Sequence, residues 1–251
     1  MLEVKHLEKK YDAGGREIAA VRNVNFTVAS GEWVGLVGES GSGKSTVAGL
    51  IAGTVKADVG EVFFDGVNYA GAKGRSQKEW YRRMQMIFQS PYDSFDPRRT
   101  LGFSLTEGLR NRKMPKNEAE DQVRRMMEIC GLSRDFADRL PHQVSGGECQ
   151  RAAIARALLL EPELLICDEI TSALDVTIQA QILELLQNLK KDRQLSCLFI
   201  SHDLALVQQI CSRILVMYQG EIIEEGTAEE VIRNPKEAYT RRLVESVTEL
   251  F

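Results

Sequence analysis

The run Gly38-Glu39-Ser40-Gly41-Ser42-Gly43-Lys44-Ser45-Thr46 fits the pattern G-x-x-x-x-G-K-[ST] and follows the apolar run Trp33-Val34-Gly35-Leu36-Val37. Glycines let a backbone wrap closely and turn its N–H groups toward phosphate oxygens. The N-terminus of a following helix adds favourable partial charge. In this pattern Lys44 reaches the β- and γ-phosphates and Ser45 ligates Mg²⁺. Gly38, Ser40, Gly41, Gly43 and Thr46 complete the cradle. A second run, Leu164-Leu165-Ile166-Cys167-Asp168-Glu169, is an apolar strand closed by two carboxylates. Ligands of α/β sheets bind at strand carboxyl ends. Asp168 would hold Mg²⁺ there, and Glu169 would polarise an attacking water as general base. Alone, the run is as often a strand closed by two solvated acids. In a chain that also carries the phosphate loop, the catalytic reading prevails.

A third segment, Val144-Ser145-Gly146-Gly147-Glu148, precedes Cys149-Gln150-Arg151 and the helical run AAIARALLL. In isolation it reads as a Ser-Gly-Gly helix cap. It resembles the signature LSGGQ of the ABC ATPase family. Ser145 and the amides of Gly146 and Gly147 then form an anion cradle at a helix N-terminus. The resemblance implies that this cradle contacts the γ-phosphate of ATP held by a second subunit. The remaining family motifs follow in order. Gln89 matches the glutamine that contacts Mg²⁺ or water and senses the membrane subunit. Ser172-Ala173-Leu174-Asp175 matches the loop that communicates across the dimer, and Asp175 doubles as a helix cap. His202 matches the histidine that contacts the γ-phosphate, and Tyr11 the aromatic that stacks on adenine. The resemblance covers essentially the whole chain. Val144 stands where the family has Leu, Glu148 where it has Gln, and Ile170 where it has Pro.

FQSPYDSFDPRRT, DVTIQAQIL and NPKEAYTRRLVES are similar to segments of peptide- and nickel-importer ATPases, with Ala238 at a usual proline position. The resemblance implies ATP and Mg²⁺ as cofactors and hydrolysis that energises uptake of a peptide, nickel or a metal chelate. It implies a second ATPase subunit in a homodimer or heterodimer, two transmembrane permease subunits, and an extracellular or periplasmic substrate-binding protein. The place would be the cytoplasmic face of the membrane, held peripherally. A soluble ABC ATPase acting on DNA or ribosomes is the competing reading, but it would bring a long insertion or a second ATPase half. A small-molecule P-loop kinase would need neither the cradle nor the SALD loop.

These side chains need elements to carry them. LEVKHLEKKY and VRNVNFTVASGEWVGLVG read as short strands with turns, and a helix begins near Lys44. EVFFDG reads as a strand and turn. NEAEDQVRRMMEICGL has helical spacing that ends at Gly131. LLICD and CLFIS are wholly apolar strands with the helix VTIQAQILELLQNLKKD between them, an order that suits parallel pairing. RILVMYQGEIIEEG reads as a hairpin turning at Gln219-Gly220. The expected fold is α/β: a P-loop NTPase (RecA-like) parallel-sheet core, an N-terminal antiparallel β subdomain and a helical signature subdomain at roughly residues 91–160, all in one domain over 1–251. The 251 residues, 43% hydrophobic, suffice for such a core. The net charge of −4 offers no basic excess for nucleic acid. No apolar run is long enough to span a bilayer, and the first ten residues have no apolar signal core. The five cysteines lack metal-ligand spacing and read as buried thiols.

Overall fold

The computed structural model describes residues 1–12, 14–172, 174–192 and 195–248, with backbone alone at 192, 247 and 248. In chain order the strands are β1 (Leu2–Asp12), β2 (Glu17–Val28), β3 (Trp33–Val37), β4 (Val59–Phe64), β5 (Val67–Asn68), β6 (Met84–Ile87), β7 (Leu164–Asp168), β8 (Ser196–Ser201), β9 (Arg213–Tyr218) and β10 (Glu221–Thr227). The helices are α1 (Lys44–Ala52), α2 (Gly74–Arg83), α3 (Leu101–Asn111), α4 (Lys116–Ile129), α5 (Gly146–Leu158), α6 (Val176–Asp192), α7 (Leu204–Ile210), α8 (Ala228–Arg233) and α9 (Ala238–Thr248). The chain forms two compact units, one from residues 1–81 and 190–251, the other from 82–189.

In the first unit, β1 lies between β2 and β4 in an antiparallel sheet that β5 extends. β1 and β2 run 11 and 12 residues, longer than the short strands expected from sequence. Register shifts near Leu7 and Lys9 break the alternation that marks a single strand. His6 and Asn23 take left-handed backbone at these irregularities, and the His6 N–H donates to Asn25 Oδ1 at 2.8 Å.

The same unit holds a second group of strands. β3 pairs in parallel with β8 on one side and β9 on the other, and β10 returns antiparallel on β9. β3, flanked on both edges, has no polar side, and WVGLV is buried at every position, as is SCLFIS. The β9–β10 turn is Gln219-Gly220, both at positive φ (48° and 89°). Two left-handed residues form the type I′ geometry that matches hairpin twist. Trp33 donates its indole N–H to Leu195 O (2.8 Å) and Trp80 to Ile51 O (3.0 Å), so both rings are buried with their polar atoms satisfied.

In the second unit β6 and β7 pair in parallel. A parallel pair needs a long crossover, and here α3, α4 and α5 all fall between the two strands. Val123, Met126 and Met127 of α4 are buried, as their spacing predicts, and the helix closes at Cys130 before left-handed Gly131 (φ 70°). Among the described residues no helix is long and apolar enough to cross a membrane.

Candidate functional site

The phosphate loop joins β3 to α1 in the first unit, and two of its glycines are dictated by space. A Cβ on Gly43 (φ 108°) would lie 2.2 Å from Ala20 O and 2.8 Å from Met217 Cε. One on Gly38 (φ 155°) would lie 2.2 Å from Met217 O. Only hydrogen fits at either place. Gly43, the N-cap of α1, has no side chain to cap the helix, so leading N–H groups are left for the loop. The Lys44 ammonium is buried (3% exposed) and donates to Gly38 O at 2.7 Å and Glu39 O at 2.8 Å. Ser42 Oγ is buried with no hydrogen-bond partner among the described residues. A buried cation, an uncapped helix start and an orphaned hydroxyl around one loop fit an oxyanion such as a phosphate. Ser40, Gly41 and Ser45 are exposed and Thr46 is half-buried.

Tyr11 is the penultimate residue of β1, pairing with Ile18 of β2. Its ring is 42% exposed, with Lys9 Nζ 5.5 Å from the centroid, so a face is available for stacking. His202 is exposed directly after β8. The next residue, Asp203, caps α7 by accepting the N–H groups of Ala205 and Leu206.

The second unit holds the acidic strand. Asp168 is the last residue of β7 and only 6% exposed. Glu169 follows with a left-handed backbone (φ 47°), a strained conformation for a non-glycine residue that turns the chain sharply at the strand end. Gln89, two residues beyond β6, donates from Nε2 to Glu169 Oε2 at 3.1 Å and to Ser172 Oγ at 3.4 Å. Parallel pairing of β6 with β7 brings these two strand ends together, so residues eighty apart in sequence share one polar cluster. Ile170, at the position where the family has Pro, is buried at 2% exposure. In the SALD segment Ala173 lies outside the described residues. Asp175 caps α6 through the Ile178 N–H at 3.0 Å.

The signature segment opens α5. Ser145 Oγ accepts the Glu148 N–H at 3.3 Å, and Glu148 Oε2 accepts the Ser145 N–H at 2.8 Å. This reciprocal capping box is open to Glu as well as Gln, so the exchange at 148 leaves the helix start intact. The Ser145 amide holds the Glu148 carboxyl below the ordinary carboxylate range, against the opposing effect of burial. Gly147 is where α5 meets α6: a Cβ there would be 2.6 Å from Ile178 Cγ2.

Among the described residues no cluster of three or more His, Cys, Asp and Glu side chains forms a metal site. The candidate donors are a hydroxyl (Ser45), a carboxylate (Asp168) and an amide oxygen (Gln89), hard oxygen ligands that suit Mg²⁺.

The family model described as ABC transporter matches residues 21–172. The oligopeptide transport ATP-binding protein OppF of Bacillus subtilis is 44% identical over 250 residues, covering 98% of this chain and 82% of the relative. OppF of Escherichia coli is 46% identical over 247 residues, covering 98% and 74%. A dimeric ATP-binding cassette in a post-hydrolysis state, bound to ADP and Pi, superposes with a TM-score of 0.83 at 30% identity, covering 91% of this chain and 99% of that one. CbiO1 from Clostridium perfringens, part of the ABC transporter complex CbiONQ, gives 0.80 at 26%, covering 99% and 96%. These cassettes share the α/β P-loop architecture. They are transport subunits, which sets aside a soluble ATPase working on DNA or ribosomes. The chain belongs to the ABC transporter family, as an ATP-binding and ATP-hydrolysing subunit.

Proposed function

We propose that this chain energises import of peptides, binding and hydrolysing ATP for two separate permease subunits supplied by an outside substrate-binding protein. The similarity to oligopeptide transport ATP-binding proteins over nearly the whole chain carries the peptide assignment. The phosphate loop supports the ATP assignment, with its buried Lys44 and uncapped α1.

In this reading Gly38, Ser40, Gly41, Gly43, Lys44, Ser45 and Thr46 hold the triphosphate, and Tyr11 stacks on the adenine. Ser45, Asp168 and Gln89 would be the ligands of Mg²⁺, which would supply positive charge to offset that of the phosphates. Glu169 takes the proton of the attacking water as general base, and Gln89, its hydrogen-bond partner, orients its carboxylate. His202 contacts the γ-phosphate. Ser145, Gly146 and Gly147 close over the nucleotide of a second ATPase subunit, which makes hydrolysis a shared act between the two. Residues 91–160 form the helical subdomain that carries this signature. The complex sits at the cytoplasmic face of the membrane, with this chain held peripherally.

The test uses the transporter reconstituted in vesicles. Glu169→Gln is expected to retain ATP binding while lowering steady-state hydrolysis and labelled-peptide uptake by about a hundredfold or more. Full hydrolysis in this variant would remove Glu169 from the mechanism. Uptake of Ni²⁺ with no peptide uptake by the wild type would replace the cargo assignment.

A further inference from the structure

The peptide unit joining Gly38 to Glu39 is held at both ends. Its carbonyl, Gly38 O, accepts from Lys44 Nζ at 2.7 Å. Its N–H, on Glu39, donates to the hydroxyl of Tyr239 at 2.9 Å. Tyr239 lies two hundred residues later, in the first turn of α9. The ring is buried (6% exposed) and packs on Tyr218, with centroids 4.3 Å apart. Tyr218 ends β9 beside Met217, whose carbonyl is the atom that excludes a side chain at Gly38. Burial pushes the Tyr239 phenol up, which keeps it a neutral hydroxyl with lone pairs to accept the amide.

The approach to α9 is fixed independently. Glu224 of β10 is 8% exposed, and its two carboxylate oxygens accept the N–H groups of Lys236 (2.8 Å) and Glu237 (3.0 Å). Two hydrogen bonds from a buried carboxylate to consecutive amides leave the helix start little freedom. Tyr239 therefore meets the loop from a rigid mount.

Lys44 spends its ammonium on Gly38 O and Glu39 O. A phosphate placed beside this ammonium would compete with those two carbonyls for it. The Gly38–Glu39 peptide then depends more heavily on Tyr239. Gly38 has no side chain to oppose rotation. A rotated peptide would break both the Glu39 N–H bond to Tyr239 and the Gly38 carbonyl bond to Lys44 and so shift the backbone of the loop.

We propose that Tyr239 is a positioning residue for nucleotide binding: its hydroxyl fixes the Gly38–Glu39 peptide and ties α9 to the occupancy of the phosphate loop. This rests on reading that loop as the ATP site. Tyr239→Phe keeps the ring on Tyr218 and removes only the acceptor. Measured on the full chain, the expected result is a rise of about three- to tenfold in Kd and KM for ATP, the scale of one hydrogen bond, with kcat and the nucleotide-free melting temperature unchanged. A purely structural hydroxyl would instead lower the melting temperature and leave Kd alone. Unchanged ATP affinity in Tyr239→Phe, with Lys44→Ala losing it, overturns the role of Tyr239 and spares the loop. Normal ATP binding by Lys44→Ala overturns both. If Tyr239→Phe does not fold, amide hydrogen exchange on the wild type decides. Strong protection of the Glu39 N–H with ATP bound supports the proposal, and exchange at the rate of an open loop overturns it.

Discussion

Gly147 carries two demands, and the structure separates them. Its amide belongs to the proposed cradle at the start of α5, and any residue but proline would supply it. Its missing side chain is required by Ile178 of α6, 2.6 Å from where a Cβ would stand. Gly147→Val should therefore destabilise the protein by about 1–3 kcal/mol, the usual range for overpacking. Combining it with Ile178→Ala should recover part of that loss, as read from urea midpoints. Equal destabilisation in both backgrounds would mean that Ile178 is not the cause. Residue types announced most of the candidate site, because a phosphate loop and an acid pair depend on local spacing. Tyr239 was legible only as a marker of family branch. Its contact with Glu39 depends on the whole first unit folding between them, and no local pattern encodes that distance.

Elements were legible where burial imposes a period. The run VTIQAQILELLQNLKKD is α6, and Gln219-Gly220 is the β9–β10 turn. Gly74–Ile87 gave no comparable signal. α2 buries Trp80 alone among ten residues, and β6 is four residues long. Such segments are fixed by what they pack on: Trp80 stacks on Tyr69 at 4.8 Å and tilts against Phe64 at 5.4 Å. The start of α6 offers a direct test of capping. Asp175 accepts the Ile178 N–H, so Asp175→Ala should cost about 1 kcal/mol of stability while Asp175→Asn costs little. Chemical denaturation of the two variants measures the difference, and equal losses would assign the effect to charge rather than to the cap.

Across the whole molecule the division into two units was hidden for a physical reason. Its boundaries fall inside α2 and α6, so no linker composition marks them. The first unit is closed by long-range ionic contacts. Arg213 of β9 donates to both oxygens of Glu32, at 2.8 and 3.0 Å. That hydrogen bonding holds the Glu32 carboxyl below its ordinary range. Burial would raise the Glu224 carboxyl, but the Lys236 amide, the Thr240 side chain, the Glu237 amide and the Lys236 charge together outweigh it and leave the net shift downward. Both groups bind protons less readily when folded. Their stabilisation is complete above the unfolded carboxylate pKa of about 4.3 and is lost as pH falls through the lowered folded values. Glu32→Gln should flatten the acid limb of the stability–pH curve, measured by urea unfolding at a series of pH values. An unchanged slope would show that other carboxylates govern that limb.

Trp33 and Trp80 are the chain's only tryptophans, and both belong to the unit that carries the phosphate loop. Intrinsic fluorescence is therefore a one-sided window. Emission from these enclosed indoles follows the integrity of the nucleotide-loop unit and has no tryptophan source in residues 82–189. Circular dichroism, which sums the backbone of both, supplies the missing half. Any gap between the two optical transitions measures how far one unit can melt while the other stands.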